Sequence, residues 1–210
     1  MSTTRPQPGT RPSRRRERPE DVTHTALDGV VVFQIGMTLR RPHRVDLWGP
    51  VFAAMGRMLT ELNRNRAAHE PGEEGDLGFL GATTLVGIKG PWVVQYWRST
   101  EQLYEYARMS DRLHVPAWKA FNAAARAHPE VVGIWHETYE VPAEGIETIY
   151  GNGARVGLGA AIGTEPRSAR GITARDRLAA GRAAARGEST GPGGTVRQED
   201  LEPPLADATA

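Results

Sequence analysis

The sequence predicts an α+β fold: a ferredoxin-like βαββαβ antiparallel sheet with two helices on one face, paired with a second copy as a two-fold dimer. Three observations carry this. Runs of strand and helix period alternate in that order between Val30 and Val141. All 14 aromatic residues of the 210-residue chain lie between Phe33 and Tyr150, so about 120 central residues build the core. Finally, the strands are apolar on both sides, which two helices on one face cannot cover.

Each element follows from its residues. Val30 to Leu39 is a β-branched apolar run, ended by Arg40-Arg41-Pro42. Trp48, Phe52, Met55, Leu59 and Leu62 recur every three or four residues, giving a helix from about Asp46 to Leu62, with Pro50 expected in its first turn. Asn63 to Asp76 is a polar loop. Phe79 to Ile88 and Trp92 to Arg98 are strands joined by Lys89-Gly90-Pro91, close enough to form an antiparallel hairpin. Ser99 and Gln102 have capping-box spacing, opening a helix with Leu103, Tyr106 and Ala107 inward. Pro116 divides the following helical region, whose second part starts near Ser110-Asp111 and offers Leu113, Trp118, Phe121 and Ala125 to the core. Val131 to Val141 is the fourth strand, and Ile146 to Tyr150 adds a short fifth.

The alternation is unusual. In the third strand Trp92, Val94 and Tyr96 share one face while Val93 and Trp97 share the other. In the fourth, Val132, Ile134 and His136 oppose Val131, Trp135, Glu137 and Tyr139. A second copy packed face to face is the simplest cover. The alternatives are a flank folding back, to which the Gly-rich C-terminal region is ill suited, or a different partner.

The flanks differ in kind. Residues 1–28 are an Arg/Pro-rich segment expected to be disordered, residues 29–160 the folded domain, and residues 161–210 a mostly disordered Gly/Ala/Arg-rich tail. Ile172 to Ala185 has weak helical character, interrupted by Gly181 and without an apolar stripe. Residues 29–150 carry 12 bases against 14 acids, which argues against a nucleic-acid partner. No run approaches the ~20 apolar residues of a membrane span, and the N-terminus lacks the apolar stretch of a secretory signal. With no cysteine there is no disulfide framework or thiol nucleophile, and the expected location is cytoplasmic.

His24, His43, His69 and His128 fall in a tail, loops or element ends and read as solvated. His114 shares a helix face with Trp118, and His136 lies mid-strand. Either is a half-buried residue satisfied by a backbone carbonyl, or a general base, proton shuttle or axial metal ligand. Arg98 ends the third strand, where its guanidinium can hold a carboxylate or polarised oxygen or pair with Glu137 across the sheet. The candidate catalytic groups are thus His114, His136, Arg98 and Glu137. The candidate pocket walls are Tyr96, Trp97, Trp118, Trp135 and Tyr139, with Trp92. No P-loop, dinucleotide fingerprint, His-Glu-x-x-His or Gly-x-Ser-x-Gly is present, and no His/Asp/Glu cluster has metal-site spacing.

Val32-Phe33-Gln34-Ile35-Gly36-Met37, Gln95-Tyr96-Trp97-Arg98-Ser99, His114-Val115-Pro116-Ala117-Trp118, Gly133-Ile134-Trp135-His136-Glu137-Thr138-Tyr139 and Tyr150-Gly151-Asn152 stand in order across residues 29–160. Together they resemble a bacterial and fungal domain-of-unknown-function family of the dimeric α+β-barrel superfamily, with monooxygenases of secondary metabolism among its members. One departure is Gly153-Ala154-Arg155, where the resemblance leads one to expect a Met-Pro-Pro-like step.

The resemblance implies the barrel dimer and says much less about a reaction, so three functions stay open. One is a monooxygenase without a tightly bound cofactor, acting on a small aromatic or polyketide-like metabolite, with His114 or His136 as base and Arg98 on the developing oxyanion. Another is a non-catalytic dimeric module for a small apolar ligand. The third is a haem protein, in which His114 is the axial ligand and Trp97 lies near the haem, by analogy of position with haem-degrading relatives.

Overall fold

A computed structural model describes residues 20–109, 123 and 126–186. Its elements are β1 (Val22–His24), β2 (Gly29–Leu39), α1 (Val45–Ala68), β3 (Phe79–Gly87), β4 (Gly90–Trp97), α2 (Thr100–Arg108), β5 (Val132–Pro142), α3 (Gly157–Ile162), β6 (Thr164–Pro166) and α4 (Ala174–Ala185). Four strands form one antiparallel sheet in the order β3-β4-β2-β5. That is the split-βαβ order the sequence predicts, with the first and last strands of the motif side by side.

Register assigns the faces. Val31, Phe33 and Ile35 of β2 stand beside Trp97, Gln95 and Val93 of β4 and beside Glu140, Thr138 and His136 of β5. This is the helix face. Leu62 of α1 and Leu103 and Tyr106 of α2 pack there with Val31, Leu77, Phe79 and Trp97. Further along α1, Trp48 and Val51 close over Met37 and Val132. Pro50 lies one turn deeper in α1 than expected, since the helix begins at Val45. The helix absorbs one lost hydrogen bond so near its start, on a surface that water reaches. Ser99 caps α2 by accepting from the Gln102 backbone N–H at 3.2 Å, as its spacing suggests.

The opposite face runs in rows. Tyr96, Val32 and Tyr139 form one, then Val94, Gln34 and Glu137, then Leu85, Trp92, Gly36 and Trp135. Gly36 is required. A Cβ there would lie 2.6 Å from both the Trp92 Cβ and the Trp135 ring, so the Trp135 indole lies over its bare backbone.

Here the chain departs from the sequence reading, because the flanks contribute structure. β1 pairs with β6, and Tyr150 bridges to Val22 instead of extending a fifth strand. Leu158 and Ile162 of α3 pack on Val30, Val32, Leu80, Tyr96 and Val141. Part of the face opposite α1 and α2 is therefore covered by the chain's own fold-back, the alternative the Gly-rich composition disfavoured. α4 has a full capping box between Thr173 and Asp176. Gly181, which weakens the helix in isolation, lets it lie against the turn at Ala143–Gly145: a Cβ there would come within 2.6 Å of the Ala143 carbonyl oxygen. The ordered unit thus runs past both ends of the 29–160 segment. Residues 1–19 and 187–210 lie outside the described residues.

His24, read from sequence as solvated, is fully buried between these flanks. Arg170 Nη1 stands 3.2 Å from its Nε2. A guanidinium only donates, so Nε2 must accept, and the ring proton sits on Nδ1, which donates to Thr148 Oγ1 at 2.9 Å. Burial first, then the Arg170 charge, pushes the His24 pKa down to about 4, with Glu147 acting in the opposite sense. The unfolded chain takes up this proton first. The contribution is therefore intact above pH 6.5, declines as pH falls towards 4, and has lost roughly 3 kcal/mol below that. Urea unfolding of the native protein and His24→Asn across this window checks it. The stability gap between them should narrow steadily on acidification, and a constant gap would refute the assignment.

Candidate functional site

The helix face of β2, β4 and β5 holds the chemistry the sequence singles out, together with one residue it did not. His136 projects from the edge strand β5 and is exposed. Its ring lies 5.9 Å from Phe33, tilted by 42°. Phe33 is flanked by Thr138 on one side and Gln95 on the other. Trp97 follows two residues after Gln95 on the same face and is completely buried, packed edge-on to Phe79 at 5.3 Å and beside Tyr106 at 5.7 Å. Its indole N–H donates to Gln95 Oε1 at 3.0 Å. A strip of donor, aromatic ring and imidazole thus crosses three strands: Gln95, Phe33, His136.

The other expected residues are dispersed. Tyr96, Trp135, Glu137 and Tyr139 all lie on the opposite face, so they cannot line one pocket with Trp97 and His136. Tyr139 donates its hydroxyl to Glu137 Oε2 at 2.7 Å, and this bond to a carboxylate raises the Tyr139 pKa. Tyr96 is also raised, by burial and by nearby Tyr150. His114 and Trp118 lie outside the described residues.

Arg98 does not pair with Glu137. The Glu137 side chain is on the far side of the sheet, while Arg98 Nη2 donates to Asp76 Oδ2 at 2.5 Å. Asp76 is buried and also accepts the Gly72 and Gly78 backbone N–H groups at 2.8 and 2.9 Å. Burial opposes its ionisation, but those N–H groups and the guanidinium outweigh it and hold the carboxyl below its ordinary value. Arg98 therefore pins the 70–78 loop. It borders an open cleft of about 1050 Å³ with Arg66, His69, Gln102 and Phe79. There Arg66 is likewise engaged, donating to the Ala161 carbonyl at 2.7 Å. This cleft holds guanidiniums already bound to the protein, unlike the strip across Phe33.

Gln95 escaped the sequence reading because a polar residue between Val94 and Tyr96 looks like ordinary strand alternation. The available signal was Gln-x-Trp within a strand, which puts an acceptor and an indole donor on one face. No described group of three or more His, Asp or Glu side chains is arranged to hold a metal ion. Trp97 also fits a haem poorly, since a macrocycle beside it would displace Phe79 or Tyr106 from the core. Among the described residues, no helix is long and apolar enough to cross a membrane.

Comparison with known proteins places the chain. No protein of curated function matches it. Among solved structures it is similar to SnoaB, a cofactor-independent oxygenase from Streptomyces nogalater, at 14% identity and a TM-score of 0.35, over 53% of this chain and 91% of that one. It is also similar to a protein of unknown function from Bacteroides thetaiotaomicron, at 9% identity and a TM-score of 0.33, over 54% and 99%. A family model, monooxygenase af470-like, matches residues 30–158, the whole sheet motif and more than half of the chain. The chain belongs to the monooxygenase af470-like family.

Proposed function

We propose that this protein is a homodimeric monooxygenase that oxidises a small aromatic or polyketide-like metabolite without a tightly bound cofactor. The observation that carries the reading is the strip on the helix face, where exposed His136 stands against Phe33 within the segment matched by the monooxygenase family. An electron-rich aromatic, once deprotonated, can pass an electron to O₂ directly, so the protein need supply only a base and an apolar surface that excludes water. His136 is the base, Phe33 the platform, and His114 a second candidate base.

The dimer follows from the opposite face. With α3 covering only the end around Val30, Val32 and Tyr96, the Trp92 and Trp135 end keeps two half-buried indoles beside exposed Leu85. A second copy bearing the same patch supplies the missing cover.

The test is O₂ uptake by the purified protein with a panel of quinol-type substrates. Native protein should consume O₂ with at least one of them, and His136→Ala should lower the rate about 100-fold. Uptake no greater than that of a His114→Ala, His136→Ala double variant over the whole panel would refute the oxygenase reading and favour a non-catalytic binding module.

A further inference from the structure

Gln95 is only 6% exposed and lies mid-strand between two apolar cross-strand neighbours, Phe33 and Ala82. Among the described residues, the hydrogen bond of its side chain is the acceptance from Trp97. Because an indole nitrogen can only donate, that bond fixes which end of the amide is which: oxygen towards Trp97, NH₂ away from it. The Trp97 ring cannot turn to release it, being sealed between Phe79 and Tyr106. Among the described residues nothing accepts from the Gln95 NH₂ group. The Gln95 nitrogen is not sealed from solvent, so its NH₂ keeps an open edge. The Trp97 bond orients this donor and leaves it free to meet an incoming acceptor.

The sheet says what the acceptor must look like. Phe33 lies immediately across from Gln95, and Thr138 and His136 belong to the next strand over. Two strand spacings, roughly 10 Å, separate the Gln95 column from the His136 column. A flat molecule on Phe33 therefore reaches the amide at one edge and the imidazole at the other. The amide offers only hydrogens there, so the ligand must bring an acceptor, which on a phenolic or quinone-like aromatic is an oxygen.

We infer that the Gln95 amide NH₂ binds a phenolic or carbonyl oxygen of an aromatic ligand lying on Phe33, and that Trp97 is the positioning residue that aims it. This rests on the helix face being the substrate site, but it is a claim about binding and does not require turnover.

The test compares 2-naphthol with 2-methylnaphthalene, in which a methyl replaces the hydroxyl, by equilibrium dialysis against the full chain. The native protein should prefer 2-naphthol about tenfold. Gln95→Leu should abolish the preference while leaving 2-methylnaphthalene affinity unchanged. Gln95→Glu, which can still accept from Trp97 but has no NH₂, should abolish it too. Trp97→Phe should reduce the preference without touching the hydrocarbon, an outcome that a merely structural role would not give.

A preference that is equal in native protein and Gln95→Leu would overturn the inference. So would the absence of saturable binding of either ligand by native protein at their aqueous solubility limits. Retained preference with no O₂ uptake would sink the oxygenase reading alone.

Discussion

Trp135→Glu should turn a dimer into a monomer, weakening self-association at least 100-fold while the subunit keeps its fold. The reasoning starts at Gly36. Trp92 and Trp135 stand on the strands either side of this residue, and only a glycine leaves room for the Trp135 ring beside the Trp92 Cβ. The pair forms the apolar centre of the row Leu85, Trp92, Gly36, Trp135, on the side of the sheet away from α1 and α2. Truncating a buried tryptophan at the centre of an interface typically costs ~2 kcal/mol or more, and placing a carboxylate there adds desolvation. Nothing in the subunit core depends on Trp135, whose ring lies outside the buried clusters of the helix face. Sedimentation velocity of the variant checks the mass, and far-ultraviolet circular dichroism checks the fold. Ile88→Lys is the control: it is fully exposed at the β3–β4 turn, and its substitution should leave the dimer intact.

Arg177→Met should cost about 3 kcal/mol of stability and make the 157–186 segment the first site of proteolysis. Arg177 is 4% exposed. Its Nε donates to Glu147 Oε1 at 2.7 Å, Nη2 reaches the same oxygen, and Nη1 serves the carbonyls of Gly171 and Ile172 at 3.2 and 2.9 Å. Removing the guanidinium strands a partly buried carboxylate and two carbonyls, and breaking such pairs is far more costly than never having them. Glu147 remains about a quarter exposed, which keeps the expected loss at the lower end of the usual ~3–5 kcal/mol. Urea unfolding measures it. Adding Glu147→Leu to Arg177→Met should restore a large part of the loss, because the stranded charge goes with it. A double variant no better than the single one would show that the ion pair is not what holds α4.

These two residues also show where the sequence was legible. The four-stranded motif was readable because β2, β4 and β5 are runs of β-branched and aromatic residues bounded by turn residues, and because Trp48 and Leu62 fall on one helical stripe. The Ser99 cap was readable because its chemistry is local. The flanks were not. β1 has three residues, too few for any period, and α4 is held by Arg177 and by the close approach at Gly181, neither of which makes an apolar stripe. In an Arg-rich segment a buried, fully bonded arginine looks like all the others.

For the candidate site, the sequence showed residue types but not how they divide between the two faces. His136 and Trp97 were singled out and do share the helix face. Their chain neighbours Trp135 and Tyr96 were taken with them, although adjacent strand residues point to opposite sides. Trp135 lies on the outer face beyond the reach of α3, and Tyr96 is packed beneath α3. Gln95 was hidden because its meaning depends on which atom of Trp97 faces it, and strand spacing alone does not reveal that.

The measurement that bears most directly on all of this is the mass of the native full-length protein by sedimentation equilibrium across the micromolar range. A sheet greasy on both sides, with α3 hiding only one end of the outer side, predicts twice the 22.9 kDa chain mass throughout. A single-chain mass at every concentration would contradict it, leaving the Trp92 and Trp135 surface without its partner.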